Sequence, residues 1–209
     1  MRPPDPSREA PRLIVVLVRD RSPDTSAVER RRVCVKIGQV IEPLPSAPSA
    51  CPGCAALLPA EEGATHPYMR CSPACWRRFG EILAREFGDP SYFALHQITV
   101  DTYAVQHPGI AERRAIQSVG LHLVTLCLVL ENGADPREGP QLHKRMVQSP
   151  PFEWLHPPPM GDRLKVVDVL PARSPAEHER LVHAWARDVW EAWTAHHDTV
   201  RGWIRHSLP

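Results

Sequence analysis

Long apolar runs are missing from this chain. No stretch approaches the roughly 18–20 uninterrupted apolar residues of a bilayer-crossing helix. The early run LIVVLV is shorter than a secretory apolar core of about 7–15 residues, and charge flanks it on both sides. The expectation is a cytoplasmic protein with no membrane partner. A dominant charge is missing as well: 25 basic and 24 acidic side chains leave a formal net charge of +1. That balance gives no electrostatic footprint for nucleic acid, so none is expected as a partner. Phosphate-cradling glycine loops, a G-x-S-x-G elbow and an H-E-x-x-H pair are also absent.

What is present in excess is proline. The 24 prolines are about twice the usual share of roughly 5%. They gather at the N-terminus, around 43–48, at 150–159 and at 171–175, where they punctuate loops instead of interrupting helices. Six cysteines remain to be explained. In a reducing compartment they read as metal ligands or buried thiols, not disulfides.

Residues 1–50 differ from the rest. Two β-like runs, PRLIVVLVRD and VCVKIGQVI, flank a charged stretch, and the Pro/Ser/Ala segment EPLPSAPSA follows. An isolated hairpin is marginal in water. The segment is therefore expected to be a poorly ordered extension, with residues 51–209 forming one domain. Ser72-Pro73 signals a helix start, and Gly88 its end. Asp89-Pro90 opens a second helix reaching about His107, where Pro108-Gly109 stops it. A third, very apolar helix spans roughly 111–131, closed by Asn132-Gly133. A short helix is expected near 140–148, and SPPFEWLHPPPMG must be an irregular loop. RLKVVDVL reads as a short extended piece. Ser174-Pro175-Ala176-Glu177 is a capping box opening a long tryptophan-rich helix to about residue 205. Four substantial helices and little strand predict a mainly α protein: a helical bundle (76–209) carrying a small N-terminal zinc-knuckle-like element (51–75).

That element rests on Cys51-x2-Cys54-x16-Cys71-x3-Cys75. Thiolates at x2–x4 spacing can grip one ion from a single tight turn, and two such pairs make a tetrahedral site that suits zinc. His66 lies between the pairs, so a Cys3His set is equally normal. Cys51, Cys54 and Cys75 are the expected ligands, with His66 or Cys71 at the fourth corner. Four protein ligands close a zinc site, which makes the ion structural.

The phrases CPGC, THPYMRCSPACWRRFGEILAREFGDPSYFALHQITVDTYAVQHPG and WARDVWEAWTAHHDTVRGW resemble an uncharacterised bacterial family, a domain of unknown function, over about residues 51–209. The resemblance brings no activity. It implies Cys51, Cys54, His66 and Cys75 as ligands, with Cys71 an additional thiol nearby.

Three helices carry aligned polar strips. His96, Tyr103 and His107 fall on one line of the second helix, with Asp101 nearly opposite. Ser118, His122 and Thr125 form a smaller strip on the third. His183, Arg187, Trp190, Thr194, His197 and Arg201 share a face of the last. Facing strips in a bundle can build a metal or acid–base site between helices, weakly resembling the histidine-bearing four-helix enzymes of the DinB type. Candidate catalytic residues are thus His96, Tyr103, His107, His122, His183 and His197. The alternative is a hydrogen-bond network that fixes helix register without chemistry. Trp185, Trp190, Trp193 and Trp203 spread around their helix and fit core packing better than base stacking.

Two functions follow. One is a zinc-stabilised binding or scaffolding protein, its partner a small molecule or another protein. The other is a metal-assisted or acid–base enzyme acting on a small molecule, in which His96 or His107 should approach His183 or His197.

Overall fold

The computed structural model describes residues 47–147 and 152–207. The expected extension before residue 47 lies outside the described residues. Of the expected extension 1–50, the last four residues are described, and Pro48–Ala50 among them form strand β1, antiparallel to β2 (Leu57–Pro59), with Ser49 opposite Leu58. The turn between them is the CPGC knuckle. Cys51 and Ala56 close it through a 2.9 Å backbone hydrogen bond, and Ala55 adopts a left-handed conformation at φ 58°.

Helix α1 (Pro73–Gly88) starts where Ser72 accepts a hydrogen bond from the Cys75 N–H, with proline in the first turn. Asp89 ends it and caps α2 (Pro90–Phe93) through the Ser91 N–H. The expected second helix is therefore broken, and its main part, α3, runs His96–Gln106. Helix α4 (Arg113–Asn132) ends at Gly133 in the left-handed region (φ 69°), with the Ala134 N–H returning to the Leu128 carbonyl. Helix α5 (Gly139–Met146) follows a 3-10 turn at Pro136–Glu138.

Two sequence expectations fail here. RLKVVDVL is not extended: Val166–Val169 form helix α6, opened by Asp168 accepting from the Lys165 N–H. The long last helix is not continuous. It runs as α7 (Pro175–Ala192), a 3-10 turn at Thr194–His196, and α8 (His197–Ser207). At the break the Thr194 hydroxyl donates to the Glu191 carbonyl, the local competition with helix bonding that short hydroxyl side chains provide.

The chain is mainly helical, as the sequence predicts, and α3 is its axis. Helices α4 and α7 pack along it, and α1 touches it. Ile98, Tyr103 and Val105 are fully buried, but so are Thr99, Asp101, Thr102 and Gln106. A helix buried all round leaves its polar residues no solvent-facing side, so each must find a partner inside. Thr102 bonds the Ile98 carbonyl. Gln106 spans two elements, donating to the Leu164 carbonyl and accepting from the Trp185 indole N–H at 3.0 Å. Helix α4 is long and apolar enough to cross a bilayer by length and composition, a measure the sequence reading set higher. Here Leu123, Val124 and Leu126 are core residues, and α4 packs against α3 and α8.

Candidate metal centre

The knuckle, the start of α1 and the end of α3 converge on one point. Cys51 and Cys54 arrive on the turn, Cys75 in the first turn of α1, and His107 on the residue that closes α3. One ligand atom from each lies within 4.8 Å of all the others, and all four side chains are buried. The Cys54 and Cys75 sulfurs are 3.8 Å apart, and Cys75 Sγ is 3.4 Å from His107 Nε2. Ligands of a tetrahedral zinc, at about 2.3 Å for sulfur and 2.1 Å for nitrogen, stand roughly 3.6–3.8 Å apart. The Cys54–Cys75 pair stands at that spacing and the Cys75–His107 pair slightly inside it.

The surroundings prepare these atoms for a cation. His107 Nδ1 donates to the Tyr103 carbonyl at 2.8 Å, which in the neutral ring leaves the Nε2 lone pair facing the sulfurs. The Ser72 N–H points at Cys51 Sγ (3.4 Å) and the Tyr103 hydroxyl at Cys75 Sγ (3.6 Å). Tyr103 is sandwiched between Phe79 and His107, with both ring centroids at 3.9 Å. Gly53 is required by the same closeness. A Cβ there would stand 2.4 Å from the Arg70 carbonyl oxygen and 2.6 Å from His107 Cδ2.

The four groups also shift one another's proton affinity. Hydrogen bonding from Cys54 and Cys75 pulls the Cys51 thiol far below its ordinary value, while the Cys51 and Cys54 sulfurs drive Cys75 far above it. Burial pushes His107 down, but Cys51 and Cys54 outweigh it and hold the imidazole at about 9.

The fourth corner corrects the sequence reading. Neither His66 nor Cys71 is in the quartet. His66 packs its ring against Tyr68 (4.3 Å) and Trp76 (5.2 Å), with Nδ1 buried and unpartnered among the described residues. Burial lowers its pKa, and burial likewise raises that of the Cys71 thiol. His107 is one of the strip residues singled out for catalysis, and here it stands among the thiols.

The other strip residues separate. His96 Nδ1 meets Glu86 at 3.0 Å, and Glu86 also receives His178 (3.0 Å) and the Thr99 hydroxyl. His197 stacks on Trp190 and bonds its carbonyl at 2.9 Å. His183 is half-buried on α7, its pKa lowered by burial and by nearby Arg187. The expected approach of His96 or His107 to His183 or His197 does not occur, because α3 turns each polar residue to a different neighbour. His122 alone joins a second cluster: its Nδ1 lies 2.6 Å from Asp101 Oδ1, with His143 Nε2 3.8 Å from the same oxygen. Asp101, Glu86, His143 and His178 were not anticipated. Glu86 had a visible signal, an acid in step with buried Phe79 and Ile82 on the inner face of α1.

Residues 49–194 match the model of a family of unknown function, DUF5946, and the chain belongs to that family. No curated protein and no solved structure matches it.

Proposed function

We propose that Cys51, Cys54, Cys75 and His107 hold one zinc ion, and that the ion is structural. The observation that carries this reading is the closed, buried Cys3His quartet. Soft thiolates with one imidazole suit zinc, and four protein ligands leave no position for substrate. The ion would tie together three segments that already pack on one another: the β1–β2 turn, the start of α1 and the end of α3. With the metal sealed in, function belongs to another surface. A cleft of about 420 Å³ lined by Tyr68, Arg114, Gln117, Ser118, Leu121 and His122 has the size of a small-molecule site. The domain would then be a zinc-stabilised binding protein, with the cleft favouring a small molecule over a protein as its partner.

Metal analysis of protein purified under reducing conditions tests the zinc. One equivalent that withstands mild chelation is expected, and His107→Ala should lose it. Zinc-free protein with an unchanged melting temperature would overturn the structural role.

The enzyme reading has one specific support. The Asp101–His122 pair at the cleft resembles a carboxylate-oriented imidazole poised for proton transfer.

A further inference from the structure

We infer a second metal site, formed by Asp101 of α3, His122 of α4 and His143 of α5, for a divalent first-row transition ion. One ligand atom from each residue lies within 4.8 Å of the others. Two imidazoles and a carboxylate are the donor set such ions accept, and three protein ligands leave coordination positions open.

A second observation points to a ligand. Asp101 has no exposure, and its Oδ2 atom is buried without a hydrogen-bond partner among the described residues. Among the described residues no arginine or lysine pairs with this carboxylate. Its partners are the Gln97 amide (2.8 Å to Oδ1), His122 and, more distantly, His143. A buried carboxylate with an idle oxygen is costly unless a cation compensates it.

The neighbourhood is built around the three donors. The Thr125 hydroxyl donates to the Leu121 carbonyl, so at 2.8 Å it accepts from His143 Nε2. Gln97, which orients Asp101, also fixes the start of α5: a Cβ on Gly139 would stand 2.4 Å from Gln97 Cγ. His122 Nδ1–H donates to Asp101, while His143 Nε2–H donates to Thr125 with the same nitrogen 3.8 Å from the Asp101 carboxylate. Ion entry requires each neutral ring to move its proton to the other nitrogen, and the 2.6 Å Asp101–His122 contact to widen towards the roughly 3 Å or more of two ligands on one ion.

This site differs from the thiol quartet in being open. His122 lines the cleft together with Arg114, Gln117 and Ser118. An ion there would face the cleft with positions free for water or for an anionic group of a small molecule, which Arg114 would also attract. The inference rests on the cleft reading for its ligand, but not on the zinc quartet.

Cobalt(II) separates the two sites. Cobalt on thiolates gives sulfur-to-metal charge-transfer absorption in the near ultraviolet, whereas cobalt on nitrogen and oxygen does not. Metal-stripped full-length protein titrated with cobalt(II) alone should bind two equivalents, only one of them with charge-transfer absorption. His122→Gln and Asp101→Asn should lose the equivalent without that absorption and keep the other. His143→Gln, a partly exposed position that folding tolerates better, should do the same. A single thiolate-bound equivalent in the wild type would overturn the inference, as would a second equivalent that survives all three substitutions. Absence of charge-transfer absorption with the other equivalent retained would instead overturn the zinc quartet.

Discussion

Glu86 and His178, 92 residues apart in the chain, meet at 3.0 Å with neither side chain reaching solvent. The contact ties α1 to α7, and His96 and Thr99 bring α3 to the same carboxylate. Burial raises the Glu86 pKa, but the bonds from His178, His96 and Thr99 outweigh it, and the net shift is downward.

This carboxylate predicts an acid-sensitive fold. Its folded pKa lies below the ordinary 4.5, so its contribution is fully present above that value. The contribution is lost as pH falls through the folded pKa. Melting temperatures measured between pH 6 and pH 3 should fall more steeply for the wild type than for Glu86→Gln. At neutral pH the same substitution should cost about 1–3 kcal/mol, because an amide cannot accept from every donor. Equal slopes for the two proteins would show that Glu86 is not the titrating group.

The glycines offer a test of opposite signs. Gly53→Ala places a methyl group against the Arg70 carbonyl and the His107 ring, so the knuckle must shift. The expected cost is about 1–3 kcal/mol, with faster loss of zinc to a competing chelator. Gly80→Ala lies on the exposed face of α1 with nothing within 4 Å of the new methyl. It should stabilise the protein by about 0.5–1 kcal/mol, the helix-propensity difference. Urea unfolding of both variants reads the two signs directly.

Gln106 predicts a cost without a charge. Its amide joins the loop at Leu164 to Trp185 of α7, and it is fully buried. Gln106→Ala leaves a buried indole N–H and a carbonyl unpaired and opens a cavity, a loss of about 2–5 kcal/mol. Native-state hydrogen exchange should show α7 loosening against α3. A loss under 1 kcal/mol would mean that water replaces the amide.

Local signals were legible in the sequence. Ser72-Pro73, Asp89-Pro90, Asn132-Gly133 and Ser174-Pro175 marked real helix ends, because caps act through residues adjacent in the chain. CPGC marked a real turn for the same reason. Partnerships across helices were not legible. The α3 strip of His96, Tyr103 and His107 suggested a shared destination, yet helix periodicity shows only which residues share a face. It does not show that α1 would supply an acid to His96, or that the end of α3 would reach the knuckle.

The fourth corner of the candidate metal centre shows the limit most sharply and gives the last prediction. Spacing favoured Cys71, and family resemblance favoured His66; both lie within the 51–75 element, where local reasoning looks. The quartet instead takes His107, 32 residues beyond Cys75. Its only local mark was Pro108, which ends α3 and leaves the imidazole at a helix terminus. Three variants decide between these residues. His107→Ala should lose zinc and lower the melting temperature, because metal binding at such a site is folding free energy. Cys71→Ser and His66→Ala should keep one equivalent. Their costs should be those of a buried thiol and a packed ring, roughly 1–3 kcal/mol each. In cobalt-substituted protein, the charge-transfer absorption should survive in His66→Ala and Cys71→Ser at wild-type intensity, and be lost with the metal in His107→Ala. If His66→Ala lost the metal while His107→Ala kept it, the ligand set drawn from the geometry would be wrong at that corner and right at the other three.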